Sequence, residues 1–433
     1  MRTKEEILNL VKEEDVEFIR LQFTDMCGNL KNIAITVNQL EHALDNKCVF
    51  DGMALYGSKR GAADMYLYPD LDSFVILPWR PQHGKVARLL CDVYDKNGQE
   101  SALSSRAILK KIINRAKEKG YTFYIDPECE FFLFHTDENG TPTTVTHEQA
   151  GYMDVGPVDL GENARRDIVL SLEEMGFEIE SSHHECAPAQ HEIDFREAEA
   201  LQTADSIVTF KSAVRAISKR FGLHATFMPK PKNGVAGSGM HLNLSVYKDG
   251  RNIFNNRSNN DEYTDEAKAF IAGIMEHARA MCSITNPLVN SYKRLISGID
   301  LYYDDIIEDI PRNALMSVRS RAGEDTKVEL RFPDPSGNPY IAIAVCIAAG
   351  LDGLERGLKL GNTSMSSETR ETKMAYLPVN LKDAVDCTIN DDFIKSVLGE
   401  RFTDIYGKLK YQEWNEYMEE VSDWEIEKYL NRV

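Results

Sequence analysis

Three short stretches, Glu128-Cys129-Glu130, His241-Leu242-Asn243 and Glu329-Leu330-Arg331, place polar side chains two residues apart. A fourth run, His183 to Glu192, carries three histidines and two glutamates. In a strand, residues i and i+2 share one face. If these faces converge, Glu128, Glu130, Glu185, Glu192 and Glu329 meet His241 in one cavity. Such a cluster cannot stay ionised and unpaired away from water, so it calls for cations. Hard oxygen donors with one imidazole suit Mg2+ or Mn2+; zinc takes fewer carboxylates and more nitrogen or sulfur. Adjacent divalent ions are what phosphoryl transfer from a nucleotide requires. Arg294, Arg312 and Arg331 are candidates to hold anionic groups beside them.

Those residues sit on an alternating pattern of elements. The first hundred residues read as a small α+β unit. Glu5 to Lys12 has helical spacing, Val16 to Phe23 alternates as a strand, and Asn32 to Thr36 can pair back across a Cys27-Gly28-Asn29 turn. A short helix over Val37 to Asp45, an irregular Gly/Ala-rich segment from Asp51 to Asp64, and strands at Phe74 to Leu77 and Val86 to Tyr94 follow. The polar stretch 95–101 marks a boundary, giving units 1–100 and 101–433.

In the second unit, Ser104 or Ser105 can cap a helix that runs to Lys119 and stops at Gly120. Strands are expected at Phe123 to Phe134, Gly239 to Tyr247 and Val328 to Phe332. Helices are expected at Asn163 to Met175, Ala198 to Phe221, Asp265 to Cys282 and Tyr340 to Leu358, with more helix in the last forty residues. Several strands alternate polar and apolar residues, which favours a mostly antiparallel sheet backed by helices.

Composition narrows the function. The 433 residues carry a formal charge of −19, which disfavours binding to a phosphate backbone and hence to nucleic acid. No run of about 18 apolar residues occurs, so no membrane span is expected, and the N-terminus lacks a signal-peptide core. The eight cysteines contain no Cys-x-x-Cys pair and read as free thiols of a reducing cytoplasm. Cys129 and Cys186 flank the candidate ligands and are expected to point the other way, into packing.

Longer runs carry a resemblance. They are 126–134 (DPECEFFLF), 157–167 (PVDLGENARRD), 183–194 (HHECAPAQHEID), 237–241 (GSGMH), 286–295 (NPLVNSYKRL) and 328–335 (VELRFPDP), with 64–70 (DMYLYPD) and 422–425 (SDWE) toward the ends. Together they make the chain similar to type I glutamine synthetases of the short form. The resemblance implies an α+β fold: an N-terminal β-grasp domain and a catalytic domain with a mostly antiparallel sheet. It implies an ATP-dependent glutamate–ammonia ligase working through γ-glutamyl phosphate, in a cytoplasmic homo-dodecamer of two hexameric rings.

Residue by residue, the resemblance makes Glu130, Glu185 and Glu192 ligands of a first metal. It makes Glu128, His241 and Glu329 ligands of the metal that holds ATP phosphates. Arg294, Arg331 and Gly237 match glutamate-binding positions, and Tyr152 lines the ammonium pocket. Arg312, Glu180 and Ser245 match ATP-site positions. Asp51, donated by a neighbouring subunit, helps deprotonate ammonium, and Asp300 replaces the glutamate of the flap.

Departures from the family pattern cluster at substrate positions. Met53-Ala54 stand for two serines, Ala236 for an asparagine and Asn243 for a histidine. Ser317 stands for a phosphate-binding arginine, with Arg319 nearby, and Glu324 for a lysine. Losing two charge-assisted contacts, each worth roughly 1.5–3 kcal/mol, weakens ATP binding on the order of a hundredfold unless other groups compensate. A more apolar amine pocket favours an alkylamine. Two alternatives therefore stand beside the ammonia ligase: a γ-glutamyl ligase for an organic amine, and a catalytically weak regulator. The segment 363–373 carries no match to the family's adenylylation tyrosine.

Overall fold

The computed structural model describes residues 2–56, 63–80, 83–255, 263–298, 315–319, 325–359 and 377–433. Asp300, Arg312, Glu324 and the segment 363–373 lie outside the described residues.

The chain opens with α1 (Lys4–Glu13), whose N-terminus is closed by a reciprocal Thr3–Glu6 capping box and whose Ile7 and Val11 face inward. It packs on a six-stranded sheet built from β1 (Val16–Thr24), β2 (Leu30–Thr36), β3 (Cys48–Asp51), β4 (Asp64–Pro69), β5 (Val75–Ile76) and β6 (Lys85–Tyr94). The order is β2-β1-β6-β4-β3, with β5 also on β6. β1 and β6 pair in parallel and the other pairs are antiparallel. Helices α2 (Leu40–Leu44) and α3 (Met53–Tyr56) fill the connections. The sequence reading missed β4, because Asp64 to Pro69 follows a Gly/Ala-rich stretch and carries two tyrosines rather than a clean alternation. The helix expected from Val37 begins as a 3-10 turn over Val37–Gln39 before α2.

The larger unit starts at α4 (Ser105–Glu118), capped by the Ser104 hydroxyl accepting the Ala107 N–H, as expected. Gly120 then takes a left-handed φ of +82° and turns the chain into β7 (Tyr121–His135). Around β7 gather α5 (Glu162–Glu174), β8 (Ile179–His184), β9 (Gln190–Phe195), β10 (Ala198–Glu199), α6 (Ala200–Ser218), β11 (Leu223–Thr226), β12 (Met240–Lys248) and β13 (Arg251–Asn252). Then come α7 (Asp265–Thr285), α8 (Val289–Gly298), β14 (Met316–Arg319), β15 (Lys327–Leu330) and α9 (Pro339–Arg356). Four helices, Leu381–Ile389, Asp392–Leu398, Glu400–Glu419 and Asp423–Tyr429, close the chain. The nine strands form one sheet, β14-β15-β12-β7-β9-β8, with β10 and β11 on β7 and β13 on β12; every pairing is antiparallel.

One face of that sheet is apolar. Cys129, Phe131, Ile193, Leu242 and Leu244 are fully buried on it; α4 and α6 pack on β7, Phe270 of α7 meets Phe123, and α9 packs on these three helices. α9 is buried almost all round, which fits its near-continuous apolar sequence. It meets α7 backbone to backbone: a Cβ at Gly353 would stand 2.1 Å from the Ala269 carbonyl oxygen. Gly353→Ala is therefore expected to lower stability by about 1–3 kcal/mol, checked by thermal melting.

Several polar ties join the units, among them those of Arg106 and Asn338. Buried Arg106 of α4 reaches Asp70 (2.6 Å) and Asp92 (2.8 Å) of the first unit and Asp205 (2.9 Å) of α6. Asn338, the N-cap of α9, donates to the Met26 carbonyl (3.1 Å). It packs so close to Gly28, at φ +83°, that a Cβ there would lie 2.7 Å from the Asn338 Cα. Both ties fix the orientation of the smaller sheet against the one that carries the polar row.

Candidate functional site

Strand register builds the site. On the face opposite the core, cross-strand partners line up in three rungs. Ser317 opposes Glu329, Glu329 opposes Asn243, and Asn243 opposes Asp126. His241 opposes Glu128, which opposes Asp194. Glu130 opposes Glu192, which opposes His183. Directly opposed residues in an antiparallel pair share a face, and so do residues two apart along each strand. Residues distant in sequence thus form one polar surface.

Two trios bring potential donor atoms within 4.8 Å of one another: Glu128–His241–Glu329 and His183–Glu185–Glu192. The His241 Nδ1 lies 2.9 Å from Glu128 and 3.3 Å from Glu329. Burial works against its charge, but these two carboxylates outweigh burial and lift its pKa to about 9. Asn243 donates to Glu128 (3.0 Å), and the Ser317 hydroxyl donates to Glu329 (2.6 Å), which is wholly buried. The two side chains that depart from the family pattern here therefore grip expected ligands.

In the second trio His183 lies 3.1 Å from Glu185 and 3.9 Å from Glu192. Glu130, expected with Glu185 and Glu192, stands across the strand from Glu192, while its Oε2 accepts from Gln190 (2.7 Å) and the Gly239 N–H (3.0 Å). Burial raises the pKa of Glu130, of Asp194 and, strongly, of Glu192, where neighbouring carboxylates add to it. Burial also pushes Asp126 up to about 7, against the pull of Lys327. Glu185 goes the other way: its contacts with His183 and the Cys186 N–H overcome burial and hold it down. Carboxyls that retain protons and an imidazole that gains one mark an excess of negative charge. Divalent cations would discharge it, and carboxylate oxygens with an imidazole beside them fit such ions.

The row is the wall between two clefts. One, of about 410 Å³, is reached by Glu128, Asn243, Glu180 and Lys327. Glu180 is exposed there, 3.9 Å from Arg196. Ser245 is buried beneath it and donates to Glu197 (2.9 Å). Lys327 lies 3.3 Å from Asp126 and 3.1 Å from Glu197. The other cleft, of about 840 Å³, is reached by Glu130, Glu185, His241, Gly237, Arg294 and Arg331. Lys230 and Lys293 line it too. Arg294 is buried, and its guanidinium donates to the carbonyls of Phe332 (3.0 Å) and Arg331 (2.8 Å). Arg331 approaches Glu329 at 3.4 Å. Carboxylates and cations lining one cleft suit an amino acid.

Tyr152 is half exposed and sets its ring edge-on to His183, 5.5 Å between centroids. Asp51 ends β3 in the smaller unit, exposed, its carboxylate accepting the Met53 N–H (2.8 Å); no described contact joins it to the polar row within this chain. Cys129 is buried as expected. Cys186 is not: it sits in the turn between β8 and β9 and is exposed, because the strand ends at His184 and the alternation that would turn it inward ends there.

Sequence reasoning missed Asp126 and Asp194, and it quoted His183 without giving it a role. Each lies two residues from a residue already chosen or quoted with it, so the same spacing rule reaches the two aspartates. It also missed a buried group made of Glu148, Asp159, His184 and His191. Arg165 already supplies a cation there, 2.8 Å from Asp159 and 2.8 Å from the His191 Nδ1.

A small mixed sheet lies ahead of an antiparallel sheet whose polar face gathers carboxylates beside two clefts, an arrangement suited to an ATP-dependent ligase. Family comparison agrees. Residues 15–96 match the glutamine synthetase beta-Grasp domain and residues 102–429 the glutamine synthetase catalytic domain. The chain is 51% identical to a glutamine synthetase of Clostridium saccharobutylicum over 438 residues, covering 99% of each. It is 46% identical to one of Thermus thermophilus, again over 99% of each. The solved structure of apo GmaS without ligand superposes with a TM-score of 0.86 at 29% identity, covering 98% of this chain and 99% of that one. The chain belongs to the glutamine synthetase family, whose members depend on ATP and divalent metal.

Proposed function

We infer that this chain makes glutamine from glutamate and ammonia at the expense of ATP. The observation that carries the reading is the shared wall: Glu128 reaches one cleft, His241 reaches the other, and the two are hydrogen-bonded at 2.9 Å. A phosphoryl donor in the acidic cleft and a carboxylate acceptor in the cationic cleft would meet across it.

Glu128, His241 and Glu329 would hold one divalent ion, and Glu130, Glu185 and Glu192 another, either Mg2+ or Mn2+. Bound there, the ions neutralise charge on the transferring phosphoryl group. Arg294, Arg331 and the Gly237 backbone hold glutamate so that its γ-carboxylate oxygen attacks the terminal phosphorus of ATP. The bond from that phosphorus to the ADP oxygen breaks, leaving γ-glutamyl phosphate. Asp51 of a neighbouring copy takes a proton from ammonium at the mouth formed by Tyr152 and Glu185. Free ammonia attacks the acyl carbon, phosphate leaves with its bonding pair, and the departing phosphate takes the extra proton from nitrogen to leave the amide. Glu180, Ser245 and Arg312 serve the nucleotide, and Asp300 covers glutamate. Lys327 stands in the nucleotide cleft as a cation where two family cations are replaced. The reading includes two structural units meeting near residue 100, a homo-dodecamer and a cytoplasmic location. Among the described residues no helix is long and apolar enough to cross a membrane.

A second reading, an organic amine as acceptor, has support from Met53-Ala54 and from the likeness to GmaS, a gamma-glutamylmethylamide synthetase. An amine panel with ATP, glutamate and Mg2+ or Mn2+ separates the two. Ammonium is expected to give a kcat/KM at least about tenfold above methylamine, the scale one carbon makes in a fitted pocket. The reverse order gives the site to an alkylamine, and no phosphate release with any amine leaves the regulator.

A further inference from the structure

We propose that Glu148 is a positioning residue: it fixes the backbone that presents Glu185 to the site and holds the segment bearing Tyr152. Its carboxylate is buried and accepts four hydrogen bonds from three segments. One oxygen takes the His184 Nε2–H (2.7 Å) and the Ala189 N–H; the other takes the Leu160 N–H (2.8 Å) and the Gly161 N–H (3.2 Å). The opposite ring nitrogen of His184 donates to the carbonyl oxygen of Glu185 (2.7 Å). Both ring nitrogens of His184 are thereby engaged, which ties Glu148 to the Glu185 backbone through one rigid ring.

Two strained backbone positions are clipped to the same group. Ala189 has φ +68° and Met153 has φ +59°, left-handed conformations that non-glycine residues rarely adopt. The Ala189 N–H is held by Glu148, and its carbonyl takes the Leu133 N–H (2.9 Å). The Met153 N–H donates to the His184 carbonyl (2.9 Å). The turn 185–189 and the segment around Tyr152 therefore stand or shift together. None of the described contacts of Glu148 reaches Glu128, His241 or Glu329, so only one of the two proposed ion sites depends on it.

All four partners of Glu148 are donors. Glu148→Gln preserves volume but turns one end into a donor facing two donors. Glu148→Asp keeps an acceptor-only group, one methylene short. The role rests on the ligase reading for its purpose, but Mn2+ binding tests it without turnover. In a spin-resonance titration of the full-length protein, Glu148→Gln is expected to weaken one class of bound Mn2+ by about 10–100-fold and leave the other class unchanged. Glu148→Asp should fall between Gln and wild type. KM for ammonium and glutamate should rise in both variants while KM for ATP holds. Either variant binding both classes of Mn2+ as wild type does overturns the proposal, and Asp alone decides if Gln does not assemble. Gln weaker than Asp shows that acceptor chemistry is what matters; the reverse order shows that only volume does and overturns it. Should wild type release no phosphate while Gln still loses Mn2+, the ligase reading fails and the positioning role stands.

Discussion

Glu329→Ala is expected to reduce phosphate release by about a thousandfold while leaving the fold intact. The rate term comes from the charge placed against the transferring phosphoryl group. Carboxylates that hold a divalent ion there contribute several kcal/mol, and each 1.36 kcal/mol is about tenfold. Glu329 has no solvent exposure and no spare position to move into: Ser317, His241 and Arg331 surround its carboxylate at 2.6, 3.3 and 3.4 Å. The fold term is small for a different reason. β15 is held between β14 and β12 by backbone pairing that the substitution does not touch. Removing one carboxylate from a row whose neighbours repel it offsets part of the lost contacts. Melting temperature and oligomer size should stay near wild type as activity falls. Glu329→Gln sharpens the test, since the amide can still accept from Ser317 but carries no charge. Full activity in either variant would show that the row does not hold an ion at this position.

Local spacing made much of this site legible. The rule that i and i+2 share a face selected Glu128 with Glu130 and placed His241 with Asn243, and the register brings them together as that rule requires. The mixed small sheet was harder. β3 and β4 pair across a segment with no apolar alternation, so pairing rather than local preference makes them strands. The turn 185–189 was illegible for a related reason: Ala189 takes a left-handed φ that its residue type does not announce. Glu148 was invisible because its four partners come from segments up to 41 residues away. Family resemblance supplied roles that spacing cannot, above all those of Arg294 and Arg331. It named Asn243 and Ser317 only as departures from the family pattern; the structure adds that each is hydrogen-bonded to a carboxylate of the row.

Stripping divalent metal with a chelator is expected to abolish phosphate release and to make thermal stability fall as pH rises from about 5 to 8. The sign follows from protons. Burial holds Glu130, Glu192 and Asp194 above the usual carboxylate range and Asp126 at about 7. In the unfolded chain such groups ionise near pH 4. Between those values the folded state binds more protons, so their contribution is fully present below the unfolded pKa and is lost as pH climbs through the folded one. His241, raised to about 9, acts in the same direction: its contribution is lost as pH rises from its unfolded value toward 9. Glu185 and Glu148 are held down, Glu148 to about 2, so their contribution fades only as pH falls below the usual carboxylate range, outside this window. Divalent ions take the place of the missing protons. The rise in melting temperature on adding Mn2+ should therefore be small near pH 5 and grow toward pH 8. Saturation at about a hundred times Kd corresponds to roughly 2.7 kcal/mol. Groups outside the row, such as His191, titrate alike in both samples and cancel in the difference. A metal-induced rise that stays flat or shrinks with pH would mean that the ion does not bind where these protons sit.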